Sequence, residues 1–525
     1  MPQLDCRLGI DVGGTNTDAV ILDGTQVLAK AKVACTPDIT GGITQAIEAV
    51  LRQPGVEGER ISHVMVGTTH ATNAVLERRN LRRVAAIRIG GPATHAVRPM
   101  FGWPADLAST VCVASTVVDG GFEFDGREIV SLDSDAVSRF VAHVAGTADS
   151  IAITSVFAPV SPLHELRAAE IVRREIGEIP VSLSHQIGSL GLLERESATM
   201  LNAALVGVAR DVADAVTTAL ETHRLRPETF IAQNDGTLMG LDQALRYPVL
   251  TIGSGPANSI RGAAFLTGTN DSLVADVGGT STDVGVLVNG FPRESSIGIE
   301  IGGVRTNFRM PDLVTIALGG GSVVAGDPIN PVIGPKSVGF LLRKHALVFG
   351  GTTPTLTDSA VASKRAALGD SSLIGRHRQL LASGLRRADE MLAEAIDRVK
   401  TSKGDRILIA VGGGSILVPD SLPGISEVIR PRHFDVANAV GAAIASVGGQ
   451  VDRIFQMDGQ SRNEVLARAS ADARDGAVAA GADPATVEIV EIEEIPLAYL
   501  NTPAVRIRVK AVGELRGASA GAIRV

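Results

Sequence analysis

The chain has 525 residues and a formal net charge of −8; 45% of its residues are hydrophobic and 20% are charged. This length allows two or three domains with large cores, and the negative charge disfavours non-specific binding to nucleic acid or to an anionic membrane. The sequence contains no apolar run of transmembrane length and no recognisable secretory signal. Its three cysteines are scattered, which predicts neither a zinc site nor a disulfide framework. We therefore expect a cytoplasmic protein with no nucleic-acid or membrane partner.

The first predicted element is a β-hairpin with the sequence Gly-Ile-Asp-Val-Gly-Gly-Thr-Asn-Thr-Asp at 9–18. Apolar runs on both sides of the two glycines predict a buried strand, a tight turn and a returning strand. A turn without Cβ atoms lets the backbone approach a bulky anion, and its N–H groups and Thr hydroxyls can bond to phosphate oxygens. An Asp at the end of the incoming strand is well placed to hold hydrated Mg²⁺. The predicted phosphate contacts are Gly13, Gly14, Thr15 and Thr17, and the predicted metal ligand is Asp11.

A helix over 39–52 and a short strand ending at Gly67 follow, and a second helix begins near the next two threonines. Thr68 and Thr69 either cap that helix or, together with Asn73 one turn later, contact an anion or a carbonyl substrate. Residues 84–190 carry no phosphate motif, and we interpret them as the rest of a first lobe. A long helix over 194–220 is predicted to bridge two lobes.

Asn234 follows the strand-like segment 230–232 and precedes Asp235-Gly236. Such a turn either presents polar groups to a substrate or forms an Asx turn, in which a side-chain oxygen accepts from a nearby backbone N–H. The two interpretations stay open at this point, and Asn234 is retained as a candidate substrate residue.

The first hairpin has a near-copy at 274–283, Val-Ala-Asp-Val-Gly-Gly-Thr-Ser-Thr-Asp. Asp, Val, Gly, Gly, Thr, Thr and Asp recur in the same order and spacing. Two copies in opposite halves of one chain argue against a purely structural glycine turn and predict a polyphosphate clamped between two related lobes. The predicted phosphate contacts are Gly278, Gly279, Thr280 and Thr282; Asp276 is the second metal ligand. Asp11 and Asp276 are also candidate catalytic groups, and Asp283 or Asp18 is a candidate base.

The remaining elements include an amphipathic helix over 373–400 and a strand over 407–411 that runs into Gly412, Gly413 and Gly414. A helix of small residues follows over 437–445. Beyond 451 the composition shifts to a charged helix over 462–480 and alternating segments at 487–492 and 505–509, which predict half-buried strands.

The paired hairpins, the triple-glycine turn and the small-residue helix resemble the actin, sugar-kinase and heat-shock-ATPase superfamily. This resemblance implies an α/β fold with two pseudo-twofold-related ribonuclease H-like (actin-like ATPase) lobes, a central nucleotide cleft and a small C-terminal α/β appendage. It implies that Gly412, Gly413 and Gly414 lie against adenosine. The predicted domains are 1–190, with the first hairpin, 191–450, with the second hairpin and the adenosine motif, and 451–525, the appendage.

The segment 67–78, Gly-Thr-Thr-His-Ala-Thr-Asn-Ala-Val-Leu-Glu-Arg, narrows the resemblance to the hydantoinase A and 5-oxoprolinase family. Further matches, in the family's order, lie at 234–239, 254–257, 317–322 and 350–358. The chain departs from the family near 325–350. There Lys336 stands where members carry Glu, and this reversal of local charge raises the prospect of a different substrate.

The resemblance implies an enzyme that hydrolyses a cyclic amide, such as a hydantoin, 5-oxoproline or another lactam, by ATP-dependent phosphorylation of the ring carbonyl. ATP and Mg²⁺ are the implied cofactors, with K⁺ as a further candidate. The implied partners are the ring substrate and a second subunit or further copies of the chain. Two alternatives share the same nucleotide clamp: a small-molecule kinase, and an ATP-driven module that remodels a protein partner.

Overall fold

The computed structural model describes residues 6–36, 38–188, 190–295, 298–308, 310–457, 459–497 and 504–516. Its α-helices are α1 Ile39–Leu51, α2 His70–Glu77, α3 Ala105–Val111, α4 Ser134–Val144, α5 Leu163–Ile176, α6 Leu192–Thr222, α7 Leu241–Arg246, α8 Ser254–Thr267, α9 Leu342–His345, α10 Leu356–Ala362, α11 Arg378–Val399, α12 Ala437–Ile444 and α13 Arg462–Ala479. No helix in these ranges is long and apolar enough to cross a membrane.

The strands of the first half are β1 Cys6–Val12, β2 Asn16–Asp23, β3 Gln26–Ala34, β4 Ile61–Thr68, β5 Val84–Gly91, β6 Cys112–Asp119, β7 Ser150–Ser155, β8 Val181–Leu183, β9 Glu228–Ala232 and β10 Leu238–Gly240. Those of the second half are β11 Ser272–Val277, β12 Thr282–Val288, β13 Phe291–Pro292, β14 Glu300–Ile301, β15 Val304–Arg305, β16 Leu313–Ile316, β17 Ser322–Gly326, β18 Pro331–Ser337, β19 Arg406–Val411, β20 Ile425–Ile429, β21 Val447–Gln456, β22 Glu488–Pro496 and β23 Ala504–Gly513.

Local sequence signals account for several helix starts. Asp38 precedes α1 and its carboxylate accepts from the N–H groups of Thr40 and Gly41. α10 and α13 both begin with a capping box, in which a hydroxyl and a carboxylate three residues apart satisfy each other's backbone N–H groups. The helices predicted over 39–52, 194–220, 373–400 and 437–445 are confirmed as α1, α6, α11 and α12.

The first sheet, as far as the chain is described, has nine strands in the order β22-β23-β21-β10-β9-β4-β1-β2-β3. Its core is an antiparallel meander, β1 to β3, and the parallel strands β4 and β9 lie on the other side of β1. A second sheet repeats this plan. Its order is β13-β12-β11-β19-β20, with an antiparallel meander from β11 to β13 and parallel β19 and β20 beyond. This order of strands is that of a ribonuclease H-like lobe, so the predicted pair of α/β lobes is confirmed.

A third sheet, β6-β5-β7-β8, is parallel throughout and occupies the region interpreted as the rest of the first lobe. It has its own apolar cluster, which α4 and α5 help to cover. α6 contacts both α1, which packs on the first sheet, and β7 of the third sheet. The long helix therefore joins the first and third sheets.

Sheet pairing crosses the domain boundaries that were predicted at 190 and 450. β9 pairs with β4 in parallel, and β21 pairs with β10, so 228–240 and 447–456 are strands of the first sheet. β23 and β22 then extend that sheet on the β21 side, and α13 packs on them. Thus β9 and β10, which were assigned to the second lobe, and β22 and β23, which were assigned to an appendage, are strands of the first sheet. Residues 517–525 of the predicted appendage lie outside the described part of the chain.

Two helices, α8 and α12, lie between the first two sheets and cross closely. α8 packs on the second sheet and α12 on the first. A Cβ on Gly262 would lie 1.8 Å from the backbone oxygen of Ala437, and a Cβ on Gly441 would lie 1.8 Å from that of Asn258. The small residues therefore set the spacing between the two lobes.

Candidate functional site

The two repeated hairpins have the same geometry. The register of the first pairs Asp11 with Asp18, and that of the second pairs Asp276 with Asp283. In each turn the first glycine N–H donates to the backbone oxygen three residues on, at 3.0 Å in the first hairpin and 2.9 Å in the second. The hairpins predicted at 9–18 and 274–283 are confirmed as structural elements.

Asp11 is 4% exposed, and its two oxygens have different surroundings. Oδ2 accepts from the side-chain amide of Asn438 on α12 at 2.6 Å, whereas Oδ1 has no hydrogen-bond partner within the described residues. The pKa of Asp11 is raised to about 7, first by burial and then by the negative charges of Asp18 and Asp276, while Lys32 and the Asn438 hydrogen bond oppose the rise. The charge of Asp276, on the other lobe, is thus one of those that act on Asp11.

Asp276, the matching carboxylate of the second hairpin, is half-buried. Its Oδ2 accepts from the Ser259 hydroxyl on α8 at 2.5 Å, and burial raises its pKa. Each of the crossing helices α8 and α12 thus supplies a side chain that orients one hairpin carboxylate.

The polar groups around Asp11 suit a hydrated cation. Both side-chain atoms of Asn258 are buried and, like Asp11 Oδ1, unpartnered among the residues that the structure describes. A Cβ on Gly67 would lie 2.5 Å from Asn258 Nδ2 and 2.6 Å from Asp11 Oδ1, so these atoms converge on one point. No group of three or more His, Cys, Asp or Glu in the described ranges forms a complete protein cage for a metal. Two carboxylates with room for water and phosphate oxygens are the donor set typical of Mg²⁺.

Asp18 and Asp283 occupy equivalent positions but differ in charge partner. Both oxygens of Asp18 accept from Lys32 Nζ at 2.6 Å. Asp283 accepts from the Thr315 hydroxyl at 2.5 Å instead. Burial raises the pKa of Asp283 to about 6, and the nearby charge of Asp276 raises it while the Thr315 hydrogen bond lowers it. Among the described residues, therefore, Asp18 has a cationic partner and Asp283 has none.

A glycine loop at 319–321 closes against the second hairpin. The N–H of Gly320 donates to Gly278 O at 3.0 Å, and that of Gly321 donates to Gly279 O at 2.7 Å. A Cβ on Gly319 would lie 2.5 Å from Thr280 N. This loop is one of the segments that resemble the family, and it lies beside the turn of the second hairpin.

The triple-glycine turn after β19 also packs against the second hairpin. Gly414 N–H donates to Val277 O at 2.7 Å, and a Cβ on Gly412 would lie 2.4 Å from Asp276 Oδ1. A Cβ on Gly413 would meet no atom within 4 Å, and the same holds for Gly279. Within the described chain, Gly412 and Gly414 are fixed by packing, while Gly279 and Gly413 border open space.

Two of the four predicted substrate residues adjoin the first hairpin. Thr69 N–H donates to Val12 O at 3.1 Å, and Asn73 Nδ2 donates to the Thr69 hydroxyl at 3.4 Å. A Cβ on Gly14 would lie 3.4 Å from Asn73 Nδ2. Asn73 and Thr69 are therefore within reach of a group bound at the Gly13-Gly14 turn.

Thr68 has a local role at the start of α2. Its hydroxyl oxygen accepts from the His70 backbone N–H at 3.1 Å and lies 2.8 Å from His70 Nδ1. The N-cap of α2 is Thr69, whose side chain makes no capping hydrogen bond, and Thr68 accepts from the first helical N–H from the position before the cap. Burial lowers the pKa of His70.

Asn234 lies apart from both hairpins, at the end of β9, where it lines a separate cavity. The Asx turn belongs to its neighbour, since Asp235 Oδ1 accepts from Thr237 N–H at 2.9 Å. The Asn234 side chain, with an unpartnered Nδ2 among the described residues, does not form that turn.

Sequence reasoning missed Asn438, Ser259 and Asn258. Each is a polar residue in a helix that consists mostly of small apolar residues. A polar side chain in such a helix was the feature of the sequence that could have identified them. Their contact with the hairpins depends on the crossing of α8 and α12, which helical periodicity alone does not specify.

Family models match most of the chain: one described as hydantoinase/oxoprolinase N-terminal region matches residues 7–176, and one described as hydantoinase/oxoprolinase matches 195–367. The acetophenone carboxylase gamma subunit of Aromatoleum aromaticum is 28% identical over 388 residues, which are 67% of this chain and 52% of that protein. The caprolactamase subunit alpha of Pseudomonas jessenii is 26% identical over 476 residues, 84% of this chain and 66% of that protein. The chain thus spans between about half and two thirds of these relatives' length.

The solved structure of the ATP-dependent caprolactamase from Pseudomonas jessenii has the same fold. It superposes with a TM-score of 0.75 at 20% identity, covering 97% of this chain and 88% of that one. The similarity extends over all three sheets and is not confined to the two hairpins.

Proposed function

Because the chain belongs to the hydantoinase/oxoprolinase family, we propose that it couples ATP hydrolysis to the opening of a cyclic amide. The observation that carries the proposal is the pair of matching hairpins, each with an Asp at the end of its incoming strand, together with the buried Oδ1 of Asp11 that has no hydrogen-bond partner among the described residues. The caprolactamase relative suggests the substrate class, since its name specifies a lactam.

The proposed chemistry begins with a stable ring amide, whose resonance makes it resist water. The carbonyl oxygen attacks the γ-phosphorus of ATP, the bond from that phosphorus to ADP breaks, and the amide nitrogen gives its proton to a base. Water then adds to the carbon that bears the phosphorylated oxygen, and the ring C–N bond breaks as the nitrogen takes up a proton. A second water releases phosphate from the resulting acyl phosphate.

Such a reaction depends on positioning and on neutralised charge more than on a strong protein nucleophile. In the proposal the turns at Gly13-Gly14 and Gly278-Gly279 hold the phosphates, and Asp11 and Asp276 hold Mg²⁺. Mg²⁺ would neutralise charge on the phosphate oxygens. Asp283 is the proposed base, and Asn73 and Thr69 lie on the substrate side of the first turn.

The adenosine is proposed to lie against Gly413, where the absence of any atom within 4 Å of a Cβ leaves room for a flat base. K⁺ is a further proposed cation, to be compared with Mg²⁺ in the assays. We also propose a cytoplasmic location and a partner polypeptide. Both reported curated relatives are named as subunits, and the chain spans only part of their length.

A ketone is the second candidate substrate, favoured by the 28% identity to the acetophenone carboxylase gamma subunit. Its carbonyl oxygen, in the enolate form, would accept the γ-phosphoryl group at the same clamp. An assay that compares ketones with ring amides separates the two candidates.

The deciding experiment measures phosphate release from ATP with caprolactam, hydantoin, 5-oxoproline, acetophenone and an open-chain amide, with Mg²⁺ and with or without K⁺. We expect one ring amide to stimulate release and Asp276→Ala to abolish it. Asp420→Ala is the matched control, because that side chain is 94% exposed. A phosphate that stays on the substrate would identify a kinase, and turnover that needs only a protein partner would identify a remodelling module. Failure to bind any nucleotide would overturn the proposal.

A further inference from the structure

Three strands of the first sheet bring a lysine into line with the two aspartates of the first hairpin. Asp11 in β1 lies opposite Asp18 in β2, and Asp18 lies opposite Lys32 in β3. Residues directly opposite each other on neighbouring antiparallel strands have their side chains on the same face of the sheet. The three charged side chains therefore form one row. The chemistry proposed above gives Lys32 no contact with the nucleotide or with the ring substrate.

The row lies on the face of the first sheet that is turned toward the second. Val20, on the same side of β2 as Asp18, packs against α12, the helix between the two sheets. On β3, Lys30 is two residues before Lys32 and shares its face. Its Nζ lies 2.6 Å from Asp435, which follows β20 of the second sheet. The row thus borders the space between the two lobes.

The end of β3 is tied to the turn of the first hairpin. Cys35 N–H donates to Thr15 O at 3.0 Å, and the Cys35 thiol donates to Gly13 O at 3.0 Å. Lys32 comes two residues before Ala34, the last residue of β3, which is a rise of roughly 7 Å along the strand. The flexible four-carbon stem of a lysine spans a similar length. The ammonium group of Lys32 can therefore reach an anion bound at the turn.

Lys32 is the accessible member of its ion pair. Both oxygens of Asp18 accept from Lys32 Nζ at 2.6 Å. The Asp18 side chain is 3% exposed, whereas that of Lys32 is 32% exposed. An ammonium group has three donors, and among the residues that the structure describes Asp18 is its only acceptor. One N–H donor is thus left for a ligand, on a side chain that solvent reaches.

The second lobe has a neutral residue at the matching position. Asp276 lies opposite Asp283, and Asp283 lies opposite Thr315 in β16. Thr315 therefore stands in the second lobe where Lys32 stands in the first. The two rows together hold four carboxylates and one ammonium group, so the cation is placed on one side of the cleft.

The charge of Lys32 acts on carboxylates of both lobes. Burial raises the pKa of Asp11, of Asp18 and of Asp276. The positive charge of Lys32 opposes this rise in pKa at all three. A polyphosphate adds further negative charge to the cleft, and a lysine ammonium group is a common partner for phosphate oxygens.

We propose that Lys32 binds a phosphate oxygen of the nucleotide at the first hairpin through its third N–H, while Asp18 keeps the other two. Lys32 is then a phosphate-binding residue, and Asp18 positions its ammonium group. The presence of a nucleotide rests on the proposed function, whereas the row, the exposure and the remaining donor are features of the sheet itself.

The test measures binding of a non-hydrolysable ATP analogue with Mg²⁺ to the purified chain by calorimetry. We expect Lys32→Met to weaken binding by about tenfold, as for the loss of a charge-assisted hydrogen bond. Lys32→Arg, which keeps the charge, should retain most of the affinity. Adenosine, which has no phosphate, should bind equally to the parent and to Lys32→Met. Lys403→Met, at an exposed position elsewhere, is the matched control.

A double variant separates phosphate binding from a purely structural role. Lys32→Met alone leaves the buried Asp18 carboxylate unpaired, which can unfold the chain. Lys32→Met combined with Asp18→Asn removes both charges, and this double variant should still bind the analogue about tenfold more weakly than the parent. Asp18→Asn alone keeps the ammonium group and should bind at least as tightly as the parent. A folded double variant with the parent's affinity would show that Lys32 only neutralises Asp18, and would overturn the proposal.

Phosphate release stimulated by ring amides, measured on the same variants, keeps the two proposals apart. Analogue binding that depends on Lys32, without stimulation by any ring amide, would support the phosphate contact and reject the proposed function. Unchanged analogue affinity in Lys32→Met, with loss of stimulation by 5-oxoproline but not by caprolactam, would assign Lys32 to a substrate carboxylate and overturn the phosphate contact alone. Absence of analogue binding to the parent chain would overturn both.

Discussion

Asn438 donates its side-chain amide to Asp11 Oδ2 at 2.6 Å and so links the helix between the lobes to the first hairpin. The contact is rigidly placed, because a Cβ on Gly9 of β1 would lie 2.2 Å from the backbone oxygen of Ala439. A shift of α12 therefore moves the group that orients Asp11, which couples the spacing of the lobes to the proposed metal site.

Asn438→Ala should weaken binding of Mg²⁺–nucleotide by about ten- to a hundredfold, since a hydrogen bond to a charged group contributes about 1.5–3 kcal/mol. This loss of affinity should become smaller at higher pH, because the hydrogen bond from the Asn438 amide lowers the pKa of Asp11. Calorimetric titration at two pH values measures both effects. Asn330→Ala is the exposed control, and equal affinity for the parent and Asn438→Ala would contradict the link.

The pKa of Asp11, raised to about 7, predicts an opposite pH response with and without metal. In the unfolded chain this carboxyl loses its proton near pH 4, whereas in the fold it holds the proton up to about pH 7. Between these values the fold binds more protons, so the free energy of unfolding falls as pH rises. Asp11→Asn, which cannot ionise, should therefore have a higher Tm than the parent at pH 8 without metal and about the same Tm at pH 4.

With Mg²⁺–nucleotide present, the order at pH 8 should reverse. The parent gains stability from the bound ligand, and Asp11→Asn does not, because the ionised oxygen is missing. Thermal melts with and without ligand make the comparison. A Tm for Asp11→Asn below that of the parent in both conditions would show that the ionised Asp11 carboxylate stabilises the fold, and would contradict this prediction.

The sequence alone was sufficient for both hairpins, because their glycines, threonines and aspartates are contiguous and repeated. It was also sufficient for the main helices, whose caps and periodicity are local. It was insufficient for the sheet membership of β9, β10 and β21, because strand pairing between distant segments is decided by tertiary packing. The same reason hid Asn438 and Ser259, which reach the hairpin carboxylates only through the crossing of α8 and α12.

The two glycines Gly413 and Gly414 should respond differently to alanine. A Cβ on Gly414 would lie 2.7 Å from Gly278 O, so Gly414→Ala should lower the Tm and disturb the second hairpin. A Cβ on Gly413 meets no protein atom within 4 Å. Gly413→Ala should therefore keep the parent's Tm but weaken nucleotide binding several-fold, as the methyl group occupies space proposed for adenosine. Unchanged nucleotide affinity in a folded Gly413→Ala would move the adenosine site elsewhere.

The crossing of α8 and α12 predicts a large loss of stability when its glycine Gly441 is replaced by alanine, whereas replacement of an exposed glycine in α13 should stabilise the fold. Gly441→Ala places a Cβ 1.8 Å from Asn258 O and should cost at least about 3 kcal/mol, since backbone must move. Gly476 in α13 is exposed, and its nearest neighbour would lie 3.6 Å from a Cβ. Gly476→Ala should gain about 0.5–1 kcal/mol from the lower entropy of the unfolded chain. Denaturant unfolding of the two variants tests the pair, and a tolerated Gly441→Ala would mean that the helices can separate.

Asp18 and Asp283 allow the proposed base to be tested with an internal control. Asp283→Asn removes a carboxylate that has no cationic partner in the described part of the chain, so the fold should persist and nucleotide affinity should change by less than about threefold. Turnover should fall by about 10²–10⁴-fold, the usual contribution of a general base.

Asp18→Asn removes the partner of Lys32 from a buried position, so its main effect should be a lower Tm. Parallel measurements of Tm, nucleotide Kd and kcat on both variants separate the roles. Because the pKa of Asp283 is raised to about 6, kcat of the parent should rise with pH through that value, as the base must first lose its proton. Turnover that survives in Asp283→Asn and disappears in a fully folded Asp18→Asn would assign the base to the first hairpin instead.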